Sequence, residues 1–184
     1  MTYNHRSERR LYFLNKGDSM KSACFTGHRT LTGNLADLSE RLYQFIENGI
    51  VNHGLTDFFA GGAIGWDTLA AQTILRIKEH YPHVRLHLVL PCSNADQTAK
   101  WSEEQKAEFY RILSLADDVE YTSEYLEKDC MKLRNARLVE LATDYCICYW
   151  NESRQRTGTG QTVRMAETKG LQIINFISSG EQPA

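Results

Sequence analysis

Short apolar runs alternate with longer amphipathic segments along the chain after residue 20. Most of the short runs end at or near a glycine, a proline or a polar turn, which is typical of buried strands. The longer segments carry apolar residues at helical spacing, as Leu35, Leu38, Leu42, Phe45 and Ile46 do. The pattern predicts strands at residues 23–26, 57–60, 84–90, 118–121, 145–150 and 171–176, and helices at 35–50, 66–80, 102–115, 131–142 and between the 153–160 loop and residue 169.

Strands that alternate with helices of this length form βαβ units, because a parallel strand is reached through a crossover connection. Right-handed crossovers then give an α/β, Rossmann-like, doubly wound domain whose mainly parallel sheet has helices on both faces. A chain of 184 residues fits a single domain of this kind, and we place it at residues 21–178. Ligands of such folds bind outside the carboxyl ends of the strands, near the switch in strand order.

The two ends of the chain lie outside the predicted domain. Residues 1–20 are polar and rich in arginine, and we expect a poorly ordered leader or tag-like arm there. The alternative is a basic arm that contacts a partner. Residues 179–184 are expected to form a short C-terminal tail.

Composition and charge narrow the classes of partner. The chain is 42% hydrophobic and 24% charged, which are ordinary values for a globular protein. Residues 1–21 hold five basic and two acidic residues, which leaves 16 basic and 21 acidic residues in the remainder. This acidic body disfavours nucleic acid as a partner, since nonspecific affinity comes mostly from neutralised phosphates. A local arginine cluster could still hold one small anionic ligand.

The sequence also predicts a cytoplasmic protein with no membrane partner. Its apolar runs are only a few residues long, whereas a helix that crosses a bilayer needs about 20, and the N-terminus lacks the apolar core of a secretory signal. The five cysteines are an odd number in core-like segments, so we expect reduced thiols. The same holds for Cys146 and Cys148, where we expect no metal. A second copy of the chain, in a homo-oligomer, is a further possible partner.

Candidate chemistry lies where the first two predicted strands end. The first strand runs into Gly27, His28 and Arg29, where glycine permits close backbone approach and arginine offers a fork for phosphate or carboxylate. The second runs into a glycine-rich turn, Gly61-Gly62-Ala63, that opens a helix and presents unpaired N–H groups to an anion. Asp67 follows in that helix, either as a helix cap or as a ligand of a ribose hydroxyl.

The fifth predicted strand leads to a second glycine-rich helix start. This loop contains Gly158, Thr159 and Gly160, and Thr162 follows one residue after Gln161. The hydroxyls of Thr159 and Thr162 could bind phosphate oxygens or cap the helix. Two such helix starts in one sheet indicate an anion site far more specifically than one does.

Two other features have both a structural and a functional interpretation. Arg134 and Arg137 are three residues apart and share a helix face, which favours a solvated basic face over a ligand contact. Trp101 and Trp150 lie near strand ends, where an indole could stack on a base. Core packing is the favoured interpretation of both tryptophans.

Several segments, taken in chain order, resemble a known family. They are Phe25-Thr26-Gly27-His28-Arg29, Gly62-Ala63-Ile64-Gly65-Trp66-Asp67-Thr68-Leu69-Ala70-Ala71, Pro91 with Gln97, Trp101 and Gln105, Cys130-Met131 through Arg134-Asn135, and Gly158-Thr159-Gly160-Gln161-Thr162-Val163-Arg164. Over residues 21–176 the chain resembles the YpsA-like proteins of the SLOG superfamily. The resemblance implies a Rossmann-like fold and a pocket for a nucleotide-derived ligand, and it adds Asn135 to the expected ligand-binding residues.

The wider superfamily includes the LONELY GUY phosphoribohydrolases, which cleave nucleoside monophosphates, and DNA-processing protein A, which binds single-stranded DNA. The phosphoribohydrolases resemble one another in a P-G-G-x-G-T-x-x-E signature whose glutamate serves the hydrolysis. Here Thr162 stands at the position of that glutamate, and Glu167 is the nearest acid on the helix. Thr157 also replaces the first glycine of the Gly-Gly-Thr run that the family often has.

We therefore expect a binding module for a small ligand that contains phosphate and ribose, without strong catalysis, in which Arg29 and Arg134 neutralise the phosphate. One alternative is a nucleotide hydrolase of the phosphoribohydrolase type that uses Asp67 as its carboxylate. The other is a single-stranded nucleic-acid binding protein. In all three cases the loops after the first, second and fifth strands should meet in one crevice, with Arg29 and Arg134 on the same side of the molecule.

Overall fold

Strands and helices alternate through residues 20–177, the part of the chain that the computed structural model describes. The strands are β1 (Lys21–Gly27), β2 (Leu55–Ala60), β3 (Arg85–Leu90), β4 (Asp118–Tyr121), β5 (Tyr145–Tyr149) and β6 (Gln172–Asn175). The helices are α1 (Leu35–His53), α2 (Trp66–Lys78), α3 (Asn94–Thr98), α4 (Glu103–Leu115), α5 (Cys130–Leu141) and α6 (Gly158–Lys169). The predicted N-terminal arm, apart from Met20, and the predicted C-terminal tail lie outside these residues.

The six strands form one sheet in the order β4-β3-β2-β1-β5-β6, and every neighbouring pair is parallel. The chain moves outward from β1 to β4 and then returns to the far side of β1 to begin β5. The strand order therefore switches between β1 and β5, where the carboxyl ends of two strands leave a crevice. This confirms the predicted α/β, doubly wound, Rossmann-like fold.

Helices cover both faces of the sheet. On one face, α1, α2 and α4 pack their apolar stripes against the sheet, and Leu42, Ile74 and Ile112 are buried there. On the other face, α5 and α6 cover the centre of the sheet, and Leu138 and Ala166 are buried there. The helices α5 and α6 also contact one another, so their first turns lie side by side at the carboxyl edge.

Local sequence signals explain most of the element boundaries. Asn34 accepts hydrogen bonds from two N–H groups of the first turn of α1, and Ser102 with Gln105 forms a capping box at the start of α4. Gly170 ends α6 in the left-handed conformation (φ 87°), as its position in the sequence predicts. The five-residue helix α3 was not predicted, because it is too short to show helical periodicity.

All five cysteines are free and buried, as expected of core thiols. Cys24 lies opposite Cys146 on the neighbouring strand, and a hydrogen bond to Cys146, together with burial, raises the pKa of the Cys24 thiol. Among the described residues, no three His, Cys, Asp or Glu side chains come together as metal ligands would. No helix in this part of the chain is long and apolar enough to cross a bilayer.

Candidate functional site

A cavity of about 260 Å³ lies at the end of β1, between the β2–α2 loop and the first turns of α5 and α6. Most of the residues that the sequence predicts for a ligand site line it. They are Gly27, His28 and Arg29 after β1, Ala63 and Asp67 after β2, Arg134 and Asn135 on α5, and Gly158 and Thr159 on α6. Residues spread over some 130 positions of the sequence thus meet beside the switch in strand order, as predicted.

Four of the predicted site residues do not line the cavity. Gly61 and Gly62 belong to the β2–α2 loop, where their carbonyls accept hydrogen bonds from Arg134 Nη1 and Gln97 Nε2 respectively. Gly160 packs closely against the Trp150 ring, and Thr162 donates its hydroxyl to the Gly158 carbonyl at 2.8 Å. These contacts shape the loops around the cavity.

The loops after β1 and β2 are joined through their backbones. The Trp66 N–H donates to the His28 carbonyl at 3.2 Å, and Gly27 lies against the Trp66 side chain with no room for a Cβ. Gly65 has a positive φ (83°), and a Cβ there would collide with the carbonyl of Arg29. The two loops therefore form one rigid wall of the cavity.

Asp67 is buried in the first turn of α2, and its carboxylate accepts a hydrogen bond from the loop that precedes that helix. Its Oδ2 accepts the Ala63 N–H at 3.3 Å and faces Arg134 Nη1 at 3.4 Å. The N-cap of α2 is Gly65, and no side chain caps this helix, so of the two alternatives for Asp67 the helix cap is wrong. Burial raises the pKa of the Asp67 carboxyl, while Arg134 and the backbone amides of Ala63 and Gly61 oppose that rise.

Arg134 is buried, with only 8% of its surface exposed, and its Nη1 contacts both the Gly61 carbonyl and Asp67. A solvated basic face is therefore the wrong interpretation for this residue. Burial lowers the pKa of Arg134, and the neighbouring carboxylate of Asp67 opposes the effect. Arg137, one turn later, instead bonds Glu120 at 2.8 Å and Glu140 at 2.9 Å.

Arg29 supplies a solvent-facing cation on the same cavity. Arg29 is exposed, and its side chain forms neither a hydrogen bond nor an ion pair with any other residue in the range 20–177. Its charge is close enough to act on both Asp67 and Arg134. Arg29 and Arg134 therefore share one cavity, and of the two only Arg29 has its charge unpaired.

The two glycine-rich helix starts differ in whether their N–H groups already have hydrogen-bond partners. At α6, Thr157 caps the Gly160 N–H at 3.0 Å, and the N–H groups of Gly158 and Thr159 have no partner among the described residues. At the second strand's loop, Ala63 already donates to Asp67. The protein's own carboxylate thus occupies the predicted anion position at Gly62-Ala63, and the start of α6 is the open one.

His28 lines the cavity as a neutral imidazole. Its Nε2 accepts the Asn151 N–H at 2.9 Å, and because a backbone N–H can only donate, the ring proton must be on Nδ1. Burial lowers the pKa of His28, and the charge of Arg154 lowers it further. The ring therefore stays neutral at physiological pH and keeps one N–H donor.

The cavity is also lined by residues that sequence reasoning did not select, namely Phe25, Thr26, Met131 and Leu138. Thr26 is the last of three alternate β1 residues that face α5 and α6, after Ser22 and Cys24, and this period of two could have revealed it. Met131 and Leu138 flank Arg134 at helical spacing. Trp101 and Trp150 are not part of the lining, in line with core packing.

Comparison with known proteins places this arrangement in a family. A family model described as the YspA SLOG family matches residues 28–178. The UPF0398 protein BH1768 of Halalkalibacterium halodurans is 24% identical over 124 residues, which cover 66% of this chain and 62% of that protein. The SPbeta prophage-derived protein YoqJ of Bacillus subtilis is 30% identical over 82 residues, covering 45% and 47%. The matches thus span about half to three fifths of these relatives' lengths.

Among solved structures, DNA processing protein A from Streptococcus pneumoniae has the same fold. The superposition has a TM-score of 0.58 at 18% sequence identity and covers 85% of this chain and 50% of that one. At this identity the likeness concerns the fold alone.

Proposed function

Because this chain belongs to the YspA SLOG family, we propose that its cavity binds a small nucleotide-derived ligand through phosphate and ribose. The observation that carries the proposal is the meeting of three unlike groups on one cavity. They are the unpaired cation of Arg29, the free N–H groups that begin α6, and the buried carboxylate of Asp67.

Phosphate is proposed to bind at the outer end of the cavity, which we call the mouth and define by Arg29 and Gly158, both exposed. The first N–H groups of a helix and its dipole favour an anion there, and Arg29 adds a charge-assisted contact. Gly158 supports this placement because nothing in the fold requires a glycine. Its φ is not positive, and a Cβ would meet only Asn135 Nδ2, at 3.7 Å.

Asp67 is proposed to bind ribose. Ala63 and Arg134 both donate to its Oδ2, which leaves Oδ1 as the acceptor for a sugar hydroxyl. The Arg134 guanidinium fixes the rotamer of this carboxylate from the opposite wall. We propose that Arg134 acts mainly by holding Asp67 and the Gly61 carbonyl, and that Arg29 is the cation that meets phosphate.

The proposal is binding rather than turnover. The hydroxyl of Thr162, at the position of the signature glutamate, is engaged with the Gly158 carbonyl. Glu167 is exposed on α6 and does not line the cavity. The carboxylate that does line it, Asp67, is paired with Arg134 through Oδ2, and its remaining oxygen is the one proposed to accept the sugar hydroxyl.

A thermal-shift panel tests the proposal. Nucleoside monophosphates, ribose 5-phosphate, ADP-ribose and inorganic phosphate are added at millimolar concentration to the whole chain. A ligand at 100 times its Kd adds about 2.7 kcal/mol to the free energy of unfolding. We expect the melting temperature to rise with at least one ribose phosphate and less with inorganic phosphate. No rise with any nucleotide would contradict the proposal, and mass spectrometry of the purified protein would identify a ligand that copurifies.

A further inference from the structure

Three neutral polar side chains line the buried part of the cavity, which we call its inner end, and together they form the inner cluster: Thr26, Asn135 and Thr159. Each is at least nine-tenths buried, with exposed fractions of 6%, 9% and 8%. None of the three side chains forms a hydrogen bond to another group within the described range. None of their polar atoms is among the fully buried atoms that lack a partner, so these atoms face the open space of the cavity, where a ligand can supply their hydrogen bonds.

The inner cluster is buried and uncharged, whereas the mouth is exposed and carries the charge of Arg29. Arg29 and Gly158 are exposed, whereas the inner cluster is accompanied by buried apolar residues, Leu138 among them. The charges at this depth, Asp67 and Arg134, already face one another. A phosphate at the inner end would lose its hydration without meeting a free cation, so an uncharged part of the ligand fits better there.

Sugar hydroxyls match the hydrogen-bonding capacity of this inner end. A threonine hydroxyl both donates and accepts, the Asn135 amide donates from Nδ2 and accepts at Oδ1, and Asp67 only accepts. A vicinal diol offers two donors and several lone pairs, which can meet all of these groups at once. Thr26 stands on β1, Asn135 on α5 and Thr159 on α6, so the diol would be held from three elements.

We propose that the inner cluster of Thr26, Asn135 and Thr159 binds the 2′- and 3′-hydroxyls of ribose, so that the site selects ribonucleotides over their dideoxy counterparts. The inference rests on the proposed function and adds the ligand's orientation. The diol points inward, and the 5′-phosphate lies at the mouth between Arg29 and the start of α6. The base then lies outside the cluster, and its identity contributes little to affinity.

Calorimetric titration of matched ligands tests the inference. The four ribonucleoside 5′-monophosphates and their 2′,3′-dideoxy forms are titrated into the wild-type chain. Loss of both hydroxyls leaves buried groups unpaired, so we expect the dideoxy forms to bind about tenfold more weakly or worse. If no monophosphate binds, the proposed function itself fails. If ribo and dideoxy forms bind equally, the function stands and the inner-cluster inference is wrong.

A variant that removes one hydroxyl separates recognition from folding. Thr26→Val keeps the shape of the side chain, Thr26→Ser keeps the hydroxyl, and Thr73→Val is the control at a buried threonine of α2 that does not line the cavity. We expect Thr26→Val to weaken ribonucleotide binding while dideoxy binding changes by less than about twofold. Thr26→Ser and Thr73→Val should keep the discrimination. Equal weakening of both ligand series by Thr26→Val would show a merely structural role and overturn the inference.

Discussion

Arg134 on α5 and Asp67 on α2 face one another across the cavity, with Nη1 and Oδ2 3.4 Å apart and both side chains buried. The two residues are 67 positions apart in the sequence, and they link helices from opposite faces of the sheet. The same guanidinium nitrogen also contacts the Gly61 carbonyl. This pair therefore fixes the β2–α2 loop against α5 and sets the shape of the cavity between them.

Replacing Arg134 by methionine should destabilise the fold strongly. The change leaves Asp67 buried without its cation, and breaking a buried pair in this way costs about 3–5 kcal/mol. Burial already raises the pKa of Asp67, and loss of Arg134 should raise it further. A raised acid pKa means that the folded state holds the proton longer, so stability should fall as pH rises from acidic to neutral. Urea unfolding at several pH values measures this. The control is Arg137→Met, at a side chain that is 25% exposed and paired at the surface, with an expected cost of about 1 kcal/mol or less.

Replacing Arg29 by alanine should leave stability within about 0.5 kcal/mol of the wild type, because Arg29 is exposed and unpaired among the described residues. If its charge meets phosphate, affinity for a nucleoside monophosphate should fall by about tenfold or more. The control is Arg156→Ala, an exposed arginine that does not line the cavity. Equal affinities of the two variants would remove Arg29 from the phosphate site.

Replacing Gly158 by alanine should separate folding from binding. The new Cβ meets no strain and only ordinary contact with Asn135, and alanine lowers the entropy of the unfolded chain, so stability should be unchanged or rise by up to about 1 kcal/mol. The methyl group enters the mouth, and we expect nucleotide binding to weaken severely. Gly62→Ala is the contrasting variant, because its φ is +65° and its Cβ would meet Leu90. It should destabilise the fold. Unchanged affinity in Gly158→Ala would contradict the proposed phosphate position.

Acidification should destabilise the chain through His28. Burial, and then the charge of Arg154, lowers the pKa of His28 below its ordinary 6.5. The unfolded state thus binds more protons in the window from 6.5 down to the folded pKa, and stability falls as pH decreases through it. Thermal unfolding of His28→Gln should show a weaker pH dependence in that window than the wild type. An exposed control, His80→Gln, should keep the wild-type dependence.

The fold and the meeting of the loops could be predicted from the sequence because they follow from periodicity and topology. Apolar spacing gives the strands and helices, and a parallel sheet places all strand-to-helix loops at one edge. What each side chain bonds could not be predicted in this way. Asp67 accepts a hydrogen bond from the Ala63 N–H, which the sequence predicts to be open to a ligand, and Arg134 faces inward to Asp67. Such contacts depend on partners distant in sequence.

Thr26 is a second residue whose surroundings could not be predicted from the sequence. Its place in a buried strand is typical of core, and it lines a cavity only because α5 and α6 leave a space above the end of β1. The alternation that directs it toward that face was present in the sequence. The helices that bound the cavity lie over 100 residues further along the chain.

The central claim is that the cavity at the end of β1 binds a ribose phosphate, and nuclear magnetic resonance tests it most directly. The backbone amides of ¹⁵N-labelled protein are followed while AMP is added and, in a second titration, inorganic phosphate. We expect the amides of Gly158 and Thr159 to shift in both titrations, with the amide of Thr26 responding to AMP alone. Saturable shifts confined to other parts of the chain, or no shifts at millimolar AMP, would contradict the account.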